Sequence, residues 1–282
     1  MKPRLINFIP LIITIPPIFI GAIAMYHNKV PTLIWAQNIA CLVIAGLISY
    51  FVISSKSNMR TSRFYIISTA ILLSFIILTF ISPSMNWVHR WISIGSIRFN
   101  VSMIVLPVII VLLWELLQMK ALWIAIITTI VIAILLAIQP DASQLTGFAI
   151  PMMIMLYSKI NKKILRSLMF GILSLLIILS WVHLDSLPPV AYVERIVSLL
   201  ANMGLMWLIL GVISLIILPV PFILFPPKNF KIPSICVGLY FIIILISTLF
   251  GNFPVPLMGY GISPIIGYFI PITWYAKSKA NS

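Results

Sequence analysis

The sequence is a succession of apolar stretches, many of them long enough to cross a membrane, that alternate with short polar or basic segments. An α-helix rises about 1.5 Å per residue, so about 20 apolar residues match the roughly 30 Å hydrocarbon core of a bilayer. Hydrophobic residues make up 62% of the 282 residues and charged residues only 8%, a composition that excludes a water-soluble domain. The sequence therefore predicts an all-α, polytopic integral membrane protein.

Turn residues and charges divide these stretches into about ten predicted transmembrane helices. Nothing between them is longer than a loop, so residues 1–282 are predicted to form a single transmembrane domain. The spans are placed at residues 5–25, 33–54, 64–82, 101–119, 121–138, 145–157, 164–182, 196–224, 232–249 and 257–275.

Three of the predicted spans carry features that argue against straight, regular helices. Proline frees backbone groups that lipid cannot satisfy, so kinks are expected in the first span and late in the eighth. The prolines concerned are Pro10, Pro16 and Pro17 in the first span and Pro219 and Pro221 in the eighth. The sixth span, at 145–157, is too short to cross the bilayer alone. It is expected to borrow residues from the polar segments on either side.

The 18 Lys and Arg residues are distributed unevenly around the predicted spans. If the N-terminus is cytoplasmic, all but four of them fall on the cytoplasmic side, the exceptions being Lys29, Arg90, Arg98 and Arg195. Because cytoplasmic loops of membrane proteins are enriched in Lys and Arg, both termini are predicted to be cytoplasmic. The net charge of +14 is thereby assigned to membrane topology, and a nucleic-acid partner is not predicted.

A polar segment rich in Trp and Arg, NWVHRWISIGSIRFN at Asn86–Asn100, lies between the third and fourth predicted spans. Other patterned segments follow: QPD at Gln139–Asp141, Leu187-Pro188 with Gly204 further on, and PVPLMGYGIS at Pro254–Ser263. The last carries two prolines and two glycines, which predict an irregular segment rather than a lipid-facing helix.

In their order and placement among the spans, these segments resemble the SEDS family (shape, elongation, division and sporulation) of membrane proteins. HRWISIGSIRF is similar to the family's RRW-x-x-[LI]-G-x-x-x-F, QPD to the start of QPDLGT, and PVPLMGYGIS to PLPFVSYGGS. Leu187-Pro188 and Gly204 match the spacing of LPExxTDF and the glycine that follows it. The resemblance covers nearly the whole chain.

The resemblance implies a multi-pass protein of the bacterial cytoplasmic membrane that acts in cell-wall assembly. Family members polymerise the lipid-linked disaccharide precursor of peptidoglycan on the outer membrane face, usually beside a transpeptidase. The expected partners are this precursor, membrane lipids, and a single-span transpeptidase or another cell-wall protein. No cofactor is predicted with certainty and a divalent cation stays an open alternative; His27, His89 and His183 lack the spacing of a metal-ligand set.

The resemblance assigns substrate contacts to the outer segments. A pyrophosphate needs cations, and the guanidinium groups of Arg90 and Arg98 suit it because they bind phosphate oxygens in fork geometry. The alternative is that both arginines lie at headgroup level near Trp87 and Trp91, as part of an interfacial belt. The predicted substrate-binding residues are Arg90, Trp91, Arg98, Asp141, Tyr260 and Ser263.

Glycosyl transfer needs a base, usually a carboxylate, to take the proton of the attacking hydroxyl. With Gly204 kept in register, the family's essential Asp falls on Val193 in this chain. Glu194 and Asp185 are the candidate replacements, although Glu194 also fits a purely structural role near a helix N-terminus. The predicted function is precursor binding with reduced or no catalysis. The alternatives are an active glycosyltransferase and a lipid flippase or transporter, which Glu115 inside a span supports only weakly.

Overall fold

The computed structural model describes residues 8–55, 61–95, 97–185 and 187–280, most of which are helical. A short β-hairpin is the one sheet among these residues. Within these residues, five helical segments are long and apolar enough to cross a membrane: Ile9–His27, Thr32–Ser54, Val101–Gln118, Lys163–Val182 and Lys228–Ser247. The expected helical, multi-pass membrane class is confirmed, while residues 5–7 of the first predicted span lie outside the described part of the chain.

The helices follow one another in the order of the apolar stretches. Their bounds are α1 Ile9–Ile12, α2 Ile15–His27, α3 Thr32–Ser54, α4 Ser62–Leu78, α5 Val101–Gln118, α6 Leu122–Ile138, α7 Ala142–Lys159, α8 Lys163–Val182, α9 Ile196–Met203, α10 Leu205–Ile216, α11 Val220–Leu224, α12 Lys231–Ser247 and α13 Ile262–Ala280. The strands β1 Trp91–Ile94 and β2 Ile97–Asn100 lie between α4 and α5.

The helices group into two compact units. The first unit consists of Met1–Lys56 together with Pro188–Ser282, and it contains α1 to α3 and α9 to α13. The second unit consists of Ser57–Leu187, and it contains α4, the hairpin and α5 to α8. Each unit has its own buried apolar interior. The single domain expected for residues 1–282 stays a prediction.

Helix α5 is the centre of the second unit. α4, α6 and α7 pack against it, and its apolar side chains are buried along most of its length. Its N-terminus is capped by Asn100, whose side-chain oxygen accepts a hydrogen bond from the backbone N–H of Met103 at 3.3 Å. Because Asn100 is also the last residue of β2, the cap holds the hairpin at the start of this core helix.

The first unit is built around α13, which packs along α3. Aromatic rings of α11, α12 and α13 fill part of its interior, with Phe222, Phe241 and Tyr268 at centroid distances of 4.9 to 6.0 Å. The Tyr268 hydroxyl donates to the carbonyl of Leu218 at 2.7 Å, which gives a partner to a backbone group at the break between α10 and α11.

Two predicted spans are interrupted, as their prolines indicated. The first span is divided between α1 and α2, and Pro16 lies in the first turn of α2, where its missing N–H costs nothing. The span predicted at 196–224 is divided around Leu218–Pro219 and also at Gly204. Gly204 has φ +124, a conformation that side chains with a Cβ rarely adopt. The break at Gly204 was not predicted, because the glycine was used only to align the motif.

The sixth predicted span lies within a longer helix, and the Trp- and Arg-bearing loop contains regular structure. Helix α7 runs from Ala142 to Lys159, so it extends beyond the predicted span 145–157 on both sides, where an extension on one side or the other was expected. The loop contains a β-hairpin that the sequence analysis missed. Its signal was Gly95-Ser96 between two runs rich in Ile, a pattern typical of a two-residue hairpin connection.

The number of spans and the cytoplasmic location of the termini stay predictions. Besides the five candidate spans, α4, α6 and α10 are apolar but shorter.

Candidate functional site

The hairpin of the second unit presents the residues of the first motif. β1 and β2 are antiparallel, with Trp91 opposite Asn100. Arg90 immediately precedes β1, and its carbonyl accepts a hydrogen bond from the N–H of Val101 at 3.2 Å. The backbone of Arg90 is thereby fixed to the first residue of α5.

Arg90 is the centre of a buried ion-pair cluster, and only 5% of the residue is exposed. An oxygen of Asp185 lies 2.5 Å from its Nη2, and an oxygen of Asp141 lies 3.4 Å from its Nε. Nε also donates to the carbonyl of Gln139 at 3.3 Å, and Nη2 donates to the carbonyl of Pro140. The guanidinium therefore ties the α6–α7 connection and the segment after α8 to the base of the hairpin.

Asp141 is buried, at 2% exposure, and caps α7 by accepting a hydrogen bond from the N–H of Gln144 at 3.3 Å. Burial raises the pKa of Asp141 above its ordinary value and the charge of Asp185 adds to this, while Arg90, Gln144 and the side chain of Asn100 act in the opposite direction. With both acids ionised, the cluster of one guanidinium and two carboxylates has a net charge of −1.

Two further polar side chains extend the cluster. Gln139 is fully buried, and its Nε2 donates to Oγ1 of Thr79, beyond the end of α4, at 2.6 Å. Asp185 accepts a second bond, from the N–H of Leu187 at 3.0 Å. Gln139 was predicted only as part of the QPD motif, and Thr79 was not predicted. No sequence signal connects Thr79 to that motif.

Arg98 and Trp91 have a different environment from Arg90. Arg98 is exposed on β2, and its Nη1 lies 2.7 Å from Sδ of Met85. Trp91 is half-buried at the start of β1. The structure thus brings Arg90, Asp141 and Asp185 together. It places Arg98 on an exposed part of the hairpin.

In the first unit, Val193 and Glu194 lie on the turn that precedes α9. The carbonyl of Val193 accepts a hydrogen bond from the N–H of Val255 at 3.2 Å. Oε2 of Glu194 accepts from the N–H of Val190 at 2.7 Å, and the N–H of Glu194 donates to the carbonyl of the same residue at 3.0 Å. The carboxylate of Glu194 therefore stabilises its own turn, which is a structural role.

The segment PVPLMGYGIS is irregular up to Gly261, as predicted, and α13 begins directly after it. The buried side chain of Asn38 on α3 holds it in place: Nδ2 donates to the carbonyl of Gly259 at 3.0 Å, and Oδ1 accepts from the N–H of Gly261 at 3.2 Å. The hydroxyl of Tyr260 donates to Oε1 of Gln37 at 2.8 Å. Both amides of α3 therefore bind this segment.

The irregular segment also contacts the turn that carries Glu194. The N–H of Tyr260 donates to the carbonyl of Tyr192 at 2.8 Å. A Cβ added at Gly259 would lie 2.4 Å from the carbonyl oxygen of Val193, so glycine is required for this close approach. The backbone of Tyr260 is therefore hydrogen-bonded to the turn that carries Glu194, so two of the predicted site residues lie on connected segments.

Asn38, Gln37 and Tyr192 were not predicted from the sequence. The available signal was the pair Gln37-Asn38 inside an apolar stretch, because polar side chains at membrane depth usually have specific partners. Ser263, predicted as a substrate contact, is 3% exposed in the first turn of α13.

Among the described residues, no three His, Cys, Asp or Glu side chains lie close enough together to hold a metal ion. Asp141 and Asp185 do not fit a divalent cation either, because the guanidinium of Arg90 already interacts with both carboxylates.

The fold is similar to that of solved SEDS structures, although no protein-family profile and no curated protein sequence matches the chain. The crystal structure of the rod shape determining protein RodA of Thermus thermophilus matches with a TM-score of 0.63, and that of an aspartate-to-alanine mutant of the same protein with 0.64. In both comparisons the sequence identity is 13%, and the match covers 95% of this chain and 96% of the RodA chain. The SEDS-like fold expected from the sequence motifs is confirmed.

Proposed function

We propose that this protein acts in bacterial cell-envelope assembly, in the cytoplasmic membrane, by binding the lipid-linked disaccharide precursor of peptidoglycan without polymerising it. The fold supports a role in cell-envelope assembly, since the similarity to RodA extends over nearly the whole chain. The resemblance of the loop motifs supports the substrate. A single-span transpeptidase or another cell-wall protein is the proposed partner.

The observation that carries the proposed lack of catalysis is the turn at Val193 and Glu194. Valine occupies the position of the family's essential acid, and an isopropyl group cannot accept a proton. The neighbouring carboxylate of Glu194 accepts a hydrogen bond from the N–H of Val190 at 2.7 Å. This hydrogen bond directs the carboxylate to the backbone of its own turn.

The proposed binding residues fall into two groups, one buried and one nearer the protein surface. Arg90 and Asp141 are 5% and 2% exposed, so direct contact with a precursor would require opening their cluster. We assign them the positioning of the surrounding loops. Direct contacts are assigned to side chains nearer the surface, namely Arg98, Trp91 and Tyr260. Ser263 is assigned a supporting role in the first turn of α13.

A paired binding and polymerisation assay tests this function. Purified protein in nanodiscs should bind the lipid-linked precursor and yield no glycan polymer, and Glu194→Gln should behave like the wild type in both measurements. Wild-type polymer that is lost in Glu194→Gln would establish the alternative, an active glycosyltransferase with Glu194 as its base. Failure of the wild type to bind the precursor would overturn the proposed function.

A variant of an exposed cation tests the binding residues. Arg98→Gln should weaken precursor binding about tenfold, because a charge-assisted hydrogen bond is worth about 1.5 kcal/mol or more. Arg98→Lys should recover only part of the affinity, since an ammonium cannot form two parallel bonds to phosphate. Lys162→Gln, in the connection between α7 and α8, is the matched control and should bind like the wild type.

A further inference from the structure

The connection between α4 and β1 exposes large apolar side chains. Trp87 is 88% exposed and Ile81 is 78% exposed, while Ile94 at the end of β1 is 67% exposed. Scattered exposed apolar residues are common, but a Trp and two Ile side chains in one short segment mark an interaction surface.

The backbone presents the Trp87 ring outward. Asn86 and Trp87 form the tip of a tight turn that is closed by reciprocal hydrogen bonds between Met85 and Val88, at 3.2 and 2.9 Å. Trp87 has φ +66, a left-handed conformation that is strained for a bulky residue. The turn therefore places Trp87 at its tip, where the residue is 88% exposed.

The turn has one exposed cation, Arg98, beside it. Residues 79–100 contain no Asp or Glu. Arg90 is committed to its buried carboxylates, and the ring of His89 stacks on Phe80 at 5.5 Å. Arg98 is exposed, and its guanidinium lies beside Met85, at the base of the turn. An exposed indole next to an exposed guanidinium suits the membrane interface, where the indole contacts acyl chains and the guanidinium contacts lipid phosphates.

The chain itself places the turn at that boundary. The apolar helix α4 ends at Leu78, and the candidate span α5 begins at Val101. Since an extended chain covers at most about 3.6 Å per residue, Ile81 lies within about 11 Å of the end of α4. The exposed apolar side chains of this segment are therefore within reach of the headgroup region of the membrane.

We propose that the turn Met85–Val88, with Ile81 and Arg98, is a membrane-surface anchor. Trp87 and Ile81 enter the headgroup region, and Arg98 binds the phosphate groups of anionic phospholipid. The anchor keeps the hairpin at the surface of the bilayer. The proposal shares Arg98 with the proposed function. The discs used to test it contain no precursor, so failure of the anchor and failure of precursor binding are distinguishable.

Depth measurement with a spin label tests the anchor. The variant Trp87→Cys is made in a background with Cys41→Ala and Cys236→Ala, so that neither of the two buried native cysteines takes up the label. The labelled protein is placed in nanodiscs of phosphatidylcholine with phosphatidylglycerol. Collisions of the label with oxygen, which concentrates in lipid, are compared with collisions with a nickel chelate, which concentrates in water.

Two reference positions calibrate the result. Ile127→Cys lies within α6 at a 59% exposed, apolar position, and Lys162→Cys lies in the exposed connection before α8. The label at position 87 should give an oxygen-to-nickel ratio between these two references. A ratio equal to that of Lys162→Cys would overturn the proposal and leave a protein partner as the occupant of the surface. If Trp87→Cys does not assemble, the same label at Ile94→Cys decides the question.

Arg98 is tested in the same labelled protein. The turn exchanges between a membrane-bound state and a released state in water. In discs with phosphatidylglycerol, Arg98→Gln should shift this equilibrium about fivefold toward the released state, which is the effect of one basic side chain near an anionic surface. The shift should be much smaller in pure phosphatidylcholine. An equal shift in both kinds of disc would remove Arg98 from the anchor.

Discussion

Arg90 and Asp185 form an ion pair at 2.5 Å although 95 residues separate them in the sequence. Asp141 completes the pair from a third part of the chain, 3.4 Å from the same guanidinium. A loop that resembles a substrate-binding element is therefore also an internal connection of the second unit. The loss of one partner leaves the other charges buried without compensation, so the cluster should strongly affect stability.

Arg90→Ala should destabilise the protein by about 3 to 5 kcal/mol, because Asp141 and Asp185 would keep their burial and lose their counter-charge. Arg90→Lys should recover only part of the loss, since one ammonium cannot reproduce the planar donor geometry. Thermal unfolding in a single detergent measures both effects. Arg98→Ala is the exposed control and should change stability by less than about 0.5 kcal/mol. Similar losses at positions 90 and 98 would contradict the assignment.

The raised pKa of Asp141 predicts a pH dependence of stability. A carboxyl group with a higher pKa in the folded state binds its proton more tightly there. Its stabilising contribution is present below the unfolded pKa and is lost as the pH rises through the folded pKa. Over that window the wild type should lose stability relative to Asp141→Asn, whose amide does not titrate. Unfolding midpoints of both proteins across a pH series provide the test, and a constant difference between them would speak against it.

Gly259→Ala should destabilise the first unit, because the added Cβ would meet the carbonyl oxygen of Val193 at 2.4 Å. Since that oxygen belongs to the backbone, relief requires movement of the turn, at a cost of about 1 to 3 kcal/mol. Gly46→Ala in α3 is the matched control, because a Cβ there meets no atom within 4 Å. It should stabilise the helix by about 0.5 to 1 kcal/mol. Effects of the same sign at both glycines would refute the close contact.

The predicted orientation of the chain can be measured on a single helix. α8 is a candidate span, with Lys162 before its first residue and the exposed His183 after its last. With cytoplasmic termini, His183→Cys should react with an impermeant maleimide added to intact cells, and Lys162→Cys should react only after permeabilisation. Both variants lack Cys41 and Cys236. The reverse labelling pattern would invert the whole topology.

Much of the helical architecture could be predicted from the sequence. The span expected at 33–54 is α3, Thr32–Ser54, and the span expected at 101–119 is α5, Val101–Gln118. These predictions succeed because a membrane-crossing helix satisfies its backbone internally and meets lipid with apolar side chains, and both are local properties of one stretch of sequence. Proline similarly indicated the divided helices through its missing N–H.

The site could be predicted only as a set of residues on separate loops. Nothing local distinguishes Arg90 from Arg98: both are arginines of one loop, beside tryptophans or isoleucines. Their different roles follow from the packing of α5 to α8, which brings Asp141 and Asp185 to Arg90 and leaves Arg98 exposed. In the same way, the prolines and glycines of Pro254–Ser263 predicted an irregular segment, which the structure shows up to Gly261. Its binding by Asn38 on α3 depends on tertiary packing. A buried polar group must find a partner wherever packing places one, and that partner is set by the approach of helices distant in sequence.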